Sequence, residues 1–577
     1  MTPARDWIGM QRHRFPRLNR LRYNPKSCAV RIVNALEEHF ISAGRHGLMV
    51  LIRFPHPLLI QVFLMRCSRL PPDDIPLLLL AIVKMLLHCW VNLRDGYFID
   101  EFYYLACGER LDWGYVDHPP LVAVIAAATR FLLGDSVFAL RIPAALSGSA
   151  MVFFAGRLAR ELGGGRFAQI LAALAVFAVP VFTAVHGYYS MNAFDQLFWL
   201  LGAYLLMLII HHGRPRDWIL FGLLMGIGLM NKISILFFGL GLAVGILLTP
   251  QRRWLRESWI WIAAALAFTI FLPHILWQIA HGWPTLEFIQ NASTYKNLPL
   301  TPLEFLVGHF LEMNYLLLPL ALAGLVWCFG TSTGKSGRIL SWIYIVVLAL
   351  MIAQKGKTYY AAPALSLILI PGAVAVEQGL ARGSWTPARR AAGVMVCVYV
   401  IVGIAIMTPF AIPILPTETY IRYAEWLGIH PSTGERKAVG KLPQFFADRH
   451  GWPEMVETIA RAYDSLPPED KAECVIFTGM YGQAGAINLL GKPYGLPRAI
   501  SAHNSYYLWG PGEKRGNVVI AYGVNQKNLE AQFEEIQEAA RFVHPYVMPY
   551  ENDLPVFICR LPKTTLQEIW PKIKHYE

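Results

Sequence analysis

From Ile75 to about residue 410, apolar runs recur that are long enough to cross about 30 Å of hydrocarbon as helices. They fall at 75–92, 138–157, 168–186, 193–211, 217–231, 233–249, 258–279, 314–330, 339–354, 358–376 and 391–410. In lipid the backbone must satisfy its own hydrogen bonds, so this pattern predicts a mainly α, polytopic membrane protein. We expect eleven spans, give or take two. With 55% hydrophobic and only 16% charged residues among 577, the chain is too apolar for an ordinary soluble domain. A net charge of +12 would suit nucleic acid if it lined one polar face, but the Lys and Arg residues sit in short clusters between apolar runs. Membrane lipids are therefore expected partners and nucleic acid is not.

The basic clusters set an orientation, because cytoplasmic loops are enriched in Lys and Arg. With the N-terminus inside, the inner loops carry thirteen basic residues: Arg157, Arg160 and Arg166; Arg214 and Arg216; Arg252, Arg253 and Arg256; Lys335 and Arg338; Arg382, Arg389 and Arg390. The outer loops carry six: Arg94, Arg110, Lys232, Lys296, Lys355 and Lys357. This alternation places a large first loop, 93–120, outside, together with everything after Pro413. The segment 119–134 follows Pro119-Pro120 and ends at Gly134-Asp135, so it is expected along the interface rather than across it. The outer loop 280–313 has room for a second interfacial helix.

Three regions follow. Residues 1–72 read as a basic cytoplasmic extension without signal-peptide pattern, for which Met65 is an alternative start. Residues 73–412 form the membrane domain. Residues 413–577 turn to Gly, Pro and charge, with strand-like runs at 474–477 and 518–521 and a helical stretch at 526–541, which predicts a small soluble α/β domain. The eight cysteines show no metal-ligand spacing. Cys474 and Cys559, the two in the tail, read either as buried thiols or as one disulfide.

The loop 93–120 is the chemical anomaly of the chain. It holds Asp100-Glu101 and Asp117 among Tyr97, Tyr103, Tyr104, Trp113 and Tyr115. Carboxylates beside a membrane span need water, a cation or a function. One reading is a general base with further acids for a cation or sugar, since group transfer to a hydroxyl or amine needs a base within hydrogen-bond reach. The other is a solvated loop whose acids pair with Arg94 and Arg110.

The stretch Gly96-Tyr97-Phe98-Ile99-Asp100-Glu101-Phe102-Tyr103-Tyr104-Leu105-Ala106, with Trp113-Gly114-Tyr115-Val116-Asp117-His118-Pro119-Pro120-Leu121, resembles the first outer loop of glycosyltransferase family 39. That family includes protein mannosyltransferases, lipid A aminoarabinose transferases and bacterial galacturonosyltransferase-like enzymes. Likeness continues through His186-Gly187-Tyr188-Tyr189-Ser190-Met191-Asn192-Ala193-Phe194-Asp195, Gly228-Leu229-Met230-Asn231-Lys232, Gly282-Trp283-Pro284-Thr285-Leu286-Glu287-Phe288 and Gln354-Lys355-Gly356-Lys357-Thr358-Tyr359-Tyr360. The tail segment Ser501-Ala502-His503-Asn504-Ser505-Tyr506-Tyr507 extends it to the C-terminal region. The resemblance implies the C-type glycosyltransferase fold and inverting transfer of a sugar from a polyprenyl phosphate at the outer face of a bacterial inner membrane. It makes Asp100 the base that activates the acceptor, with Glu101 its neighbour in the motif. Asp117 becomes a donor-side residue and the one candidate ligand for a divalent metal ion; no other cofactor is implied. His118 stands where several relatives carry Lys, which puts a phosphate contact there in doubt.

A leaving polyprenyl phosphate gains negative charge and calls for cations. Lys232, Lys355 and Lys357 fall at outer ends of spans, with Tyr359 beside them; the alternative is that these lysines snorkel to headgroups. Asp195 lies about one turn inside a span, where a carboxylate is costly, and is expected to orient substrate or a loop. His186 and His274 are edge histidines. His503-Asn504-Ser505-Tyr506-Tyr507 either contacts the acceptor or forms a packed turn. The expected acceptor is an envelope lipid, glycan or protein. A transporter or lipid-linked-sugar flippase is the rival, and it predicts polar residues at mid-membrane.

Overall fold

The computed structural model describes residues 71–94, 96–381 and 386–577; the basic extension, Met65, Cys28, Cys67 and Arg382 lie outside the described residues. The membrane domain opens with α1 (Asp74–Val91), followed by a short loop and α2 (Ile99–Gly108). Next come α3 (Leu121–Leu133), α4 (Val137–Glu161), α5 (Arg166–Phe177), α6 (Pro180–Val185), α7 (Met191–His212), α8 (Pro215–Asn231), α9 (Ile235–Leu247) and α10 (Ser258–Ala280). Two shorter helices, α11 (Pro284–Asn291) and α12 (Pro302–Met313), precede α13 (Leu318–Gly330), α14 (Arg338–Ala353), α15 (Ser366–Leu380) and α16 (Pro387–Ala411).

Among the described residues seven helices are long and apolar enough to cross a membrane, or nine if two bent pairs each count as one span. Eleven were expected. The difference lies at three breaks and at α8, which has only 17 residues. The run 168–186 splits because Val179, preceding Pro180, is forced into an extended conformation. The run 233–249 turns by 107° at Pro250, and α12 meets the following helix at 90°, at Asn314 with φ of 75°. With 13 residues, α3 is too short to cross, in line with the interfacial placement expected for 119–134.

Close helix approach in this domain rests on small residues, as is usual where lipid removes the hydrophobic drive between helices. A Cβ on Gly222 would lie 2.6 Å from the Ala263 carbonyl oxygen, bringing α8 against α10, and one on Gly241 would lie 2.9 Å from Ile343 Cα, bringing α9 against α14. At one end of the bundle Asp74 receives Arg157 and Arg160, each at 2.7 Å, which ties α1 to α4.

The C-terminal region holds a five-stranded sheet in the order β2-β1-β3-β5-β4, built from β1 (Cys474–Thr478), β2 (Ala499–Ser501), β3 (Val518–Tyr522), β4 (Phe533–Phe542) and β5 (Leu554–Pro562). The first three are parallel; β5 and β4 are antiparallel. The helix expected at 526–541 is a correction: only Gln526–Glu530 is helical, and the rest is β4. Glu, Ala and Arg favour a helix locally, but pairing with β5 overrides that preference. Its exposed glutamates also discourage further pairing at the sheet edge. Cys474 and Cys559 are free thiols on β1 and β5 with β3 between them. Two strand spacings, about 10 Å, exceed disulfide reach.

Two further helices, α17 (Trp452–Asp464) and α18 (Tyr481–Leu490), pack this sheet onto the membrane domain. Phe98, Ile99, Phe102 and Tyr103 of the first outer loop share one buried apolar cluster with Trp452, Ile476, Ile487 and Ile520. The loop is thus embedded in the core of the C-terminal region rather than merely covered by it.

Candidate active site

Ile99, Asp100 and Glu101 open α2, where unpaired N–H groups and the helix dipole favour carboxylates. Successive side chains on a helix diverge by about 100°, and these two acids meet opposite surroundings. Glu101 is fully buried. Its Oε1 accepts from Arg141 Nε at 2.7 Å and Tyr189 N at 2.7 Å, and its Oε2 accepts from Arg141 Nη2 at 2.7 Å and Phe98 N at 2.8 Å. Both oxygens are committed to the protein, so the structure places Glu101 as an internal clamp rather than facing substrate. Arg141 also donates to the Gly96 carbonyl at 2.6 Å, so the clamp fixes the entry to the loop.

Asp100 is half-buried, and among the described residues its one side-chain hydrogen bond comes from the Tyr481 hydroxyl, 2.7 Å from Oδ1. Burial raises its carboxyl from 3.8 to about 6, against the pull of Tyr481 and of Lys296. A carboxylate with that value is ionised at neutral pH yet basic enough to take a proton in a transition state. Asp117 is half-buried as well and accepts from the Tyr103 hydroxyl at 2.6 Å. The charges of the two acids reach each other: Asp117 adds to the upward shift of Asp100.

His118 is placed elsewhere than expected. It is buried, its Nδ1 donates to the Pro119 carbonyl at 2.8 Å, its Nε2 lies 3.8 Å from Cys107 Sγ, and its ring packs on Tyr115. Burial also lowers its pKa. A neutral ring with both nitrogens turned inward does not contact a phosphate.

The predicted lysines separate. Lys357 Nζ lies 2.9 Å from Glu435, which Lys296 and Lys437 also approach, at 3.8 and 3.9 Å. Three lysines thus surround one buried glutamate, and Glu577 also acts on Lys296 and Lys437. Lys296 and Lys357 both act on Asp100, so this cluster borders it. Lys232 donates to Asn192 at 2.6 Å, lies 3.7 Å from Asp195, and faces the Tyr360 and Tyr359 rings at 5.6 and 6.0 Å. Asp195 also accepts from Ser234 at 2.5 Å. Tyr359 in turn feels the charge of Asp100, which joins this wall to the site. Lys355 is exposed.

Sequence reasoning missed Arg141, Glu435, Lys437 and Tyr481. A lone Arg in the apolar run 138–157 was the available signal for the first. The other three come from the C-terminal region, and nothing in their spacing points to the loop.

For a divalent metal the donor set is thin. Among the described residues no three His, Cys, Asp or Glu side chains converge on one point. Near Asp117, His118 is turned inward and His274 Nδ1 is bonded to the Trp113 carbonyl at 3.0 Å. The residues present do not fit a protein-ligated metal, and no step is routed through one.

Residues 117–277 match the family model described as dolichyl-phosphate-mannose-protein mannosyltransferase. A lipid A galacturonosyltransferase, RgtD of Rhizobium johnstonii, is 25% identical over 267 residues, which is 45% of this chain and 55% of that relative's length. Among solved structures, ArnT of Cupriavidus metallidurans superposes with TM-scores of 0.52 bound to undecaprenyl phosphate and 0.54 in the apo state. Identity is 16% and 15%, with 83% of this chain and 97% of ArnT covered in both cases. The likeness to that mannosyltransferase family is carried by residues 117–277, and the ArnT superposition shows the fold. The chain is a multi-pass membrane protein of the C-type glycosyltransferase fold, as the Asp100-Glu101 loop led us to expect.

Proposed function

We propose that this chain is a family 39 enzyme that transfers a sugar from a polyprenyl-phosphate donor to a lipid acceptor, with Asp100 as general base. The observation that carries the reading is Asp100 itself: a half-buried carboxylate with a pKa of about 6, one hydroxyl contact, and a cationic cluster beside it. The undecaprenyl phosphate of ArnT supports a polyprenyl donor, and the RgtD relative supports a lipid acceptor.

In this reading the acceptor hydroxyl or amine gives its proton to Asp100 as its lone pair attacks the anomeric carbon. The bond from that carbon to the phosphate oxygen breaks on the opposite face, so configuration inverts. The polyprenyl phosphate departs with one more negative charge than it carried in the donor. Lys296, Lys357 and Lys437 stand ready to balance that charge, with Glu435 keeping them gathered before substrate arrives. No general acid is needed, because the phosphate leaves already ionised, unlike the leaving group in glycoside hydrolysis. The aromatic side chains around Asp100 and Asp117 suit a sugar face, and Asp117 is assigned to the donor side.

The basic clusters at Arg157, Arg160 and Arg166 favour the cytoplasm for that end of the bundle. The acid loop and residues 413–577 then face the periplasm of a bacterial inner membrane. Asp100→Asn in purified full-length protein is expected to lower transfer from a polyprenyl-phosphate sugar by about 10²–10⁴-fold while the donor still binds. Near-normal turnover by that variant overturns the assignment of the base. Movement of donor lipid across vesicles without sugar release favours a flippase instead.

A further inference from the structure

The two acids of the first outer loop are each held by a hydroxyl relay that leads into the C-terminal region. Tyr481, the first residue of α18, donates directly to Asp100 at 2.7 Å. Ser505 opens a second helix, α19 (Ser505–Trp509). Its Oγ accepts from Val116 N at 3.1 Å and lies 2.7 Å from the Tyr103 hydroxyl, which lies 2.6 Å from Asp117. Each hydroxyl has one proton, so the order is fixed: Ser505 donates to Tyr103, and Tyr103 donates to Asp117. The Tyr481 and Tyr103 rings pack at 4.6 Å between centroids, which makes the two relays one layer.

The topology explains why these two residues arrive together. Tyr481 and Ser505 follow β1 and β2, neighbouring parallel strands, so both leave the same edge of the sheet. The crevice at the carboxyl ends of parallel strands is where such sheets place ligands; here it receives the acids of the membrane domain. Two glycines allow the approach. A Cβ on Gly482 would lie 2.3 Å from Ile99, and one on Gly485 would lie 2.7 Å from Phe102, so α18 meets α2 at a distance no larger residue permits. The backbone completes the join, with Ile99 N donating to the Asp448 carbonyl at 3.1 Å.

We propose that Tyr481 and Ser505 are positioning residues for transfer, fixing the carboxylate planes of Asp100 and Asp117, so that the C-terminal region is part of the active site. The proposal rests on the reading of Asp100 as the base. Among the described residues Tyr481 is the only one that hydrogen-bonds the Asp100 side chain directly. The cations Lys296 and Lys357 and the acids Asp117, Glu435 and Asp448 act on it through their charge alone. The hydroxyls of Tyr104, Tyr188 and Tyr359 sense its charge in turn.

The test uses full-length protein in nanodiscs with a polyprenyl-phosphate sugar, comparing Tyr481→Phe, Ser505→Ala and Ser505→Thr with wild type across pH. Tyr481→Phe keeps the ring packing and removes only the hydroxyl. Its acid limb is expected to move up by about one unit, with turnover down about fivefold near pH 6, recovering at alkaline pH, and donor KM little changed. Ser505→Ala should lower turnover severalfold without moving that limb, and Ser505→Thr should restore it. A second reading needs no turnover: the carboxyl infrared band that disappears in Asp100→Asn should titrate about one unit higher in Tyr481→Phe. Wild-type profiles and an unmoved band in Tyr481→Phe overturn the proposal. So does a loss of folded protein in both variants with the limb unmoved, which marks a structural role only. If instead wild type consumes no polyprenyl-phosphate sugar while the band still shifts, the positioning stands and the proposed reaction fails.

Discussion

Asp100 and Glu101 are adjacent in sequence and opposite in situation. Glu101 points into the membrane domain, where Arg141 and two backbone N–H groups take both its oxygens. Asp100 points toward the C-terminal region, where it has one hydroxyl partner and a half-open face. The same carboxyl group at successive positions is a structural anchor in one case and the proposed base in the other. What separates them is the number of side-chain oxygen contacts each receives among the described residues: four donated hydrogen bonds at Glu101 and one at Asp100.

Breaking the anchor should have the largest effect on the fold. Glu101→Ala or Arg141→Ala leaves one buried charge without its partner, at a cost of about 3–5 kcal/mol. Folded protein recovered from membranes, or its thermal midpoint, should fall sharply for each. The double variant should lose less than the sum of the two, because no lone charge remains. If the single variants are as stable as wild type, the clamp is not what holds α2.

The base predicts the opposite sign. Its folded pKa of about 6 lies above the ordinary 3.8, so the folded state binds the proton more tightly than the unfolded state does. Stability is then greatest below about pH 4 and declines as pH rises toward 6, staying reduced above it. Asp100→Asn removes that cost. After allowance for its half-open face, the variant should gain about 1–2 kcal/mol at neutral pH while losing transfer. A stabilised, inactive Asp100→Asn beside a destabilised Glu101→Ala would sharpen the contrast; destabilisation of both would erase it.

Much of this contrast could be anticipated and some could not. The acid pair beside a span, the aromatic density around it and the apolar runs were all local in sequence, so the fold was legible and the loop stood out as the candidate site. Which acid faces outward was not, because it depends on Arg141 some forty positions away and on Tyr481 nearly four hundred away. Helical length was misjudged where a single Pro180 ended a run that hydropathy alone continued. The stretch 526–541 failed for a related reason: its helical composition is local, and its pairing with β5 is not.

The lysines offer a milder version of the comparison between an occupied and an open group. Glu435 gathers Lys296, Lys357 and Lys437 as Glu101 gathers Arg141, but here one acid holds three cations, which in the proposed function face the leaving phosphate. Glu435→Gln should let the lysines repel one another and spread, raising donor KM severalfold with turnover at saturation less affected, as expected when ground-state and transition-state binding weaken together. A KM unchanged by Glu435→Gln would show that the cluster is not an anion cradle.

The smallest effect is expected at the other end of one short turn. Lys357 is half-buried against Glu435 and acts on Asp100, whereas Lys355, two residues earlier, is exposed. Both have the same charge and the same place at the end of α14, so a headgroup-binding role would treat them alike. A role at the site would not. Lys357→Ala should reduce transfer about tenfold or more, since it removes the closest of the three cations to Glu435. Lys355→Ala should stay within about twofold, as surface charges away from a site usually do. Equal losses from the two variants, measured as initial rates at the same donor concentration, would move the phosphate contact out to the membrane surface and away from Asp100.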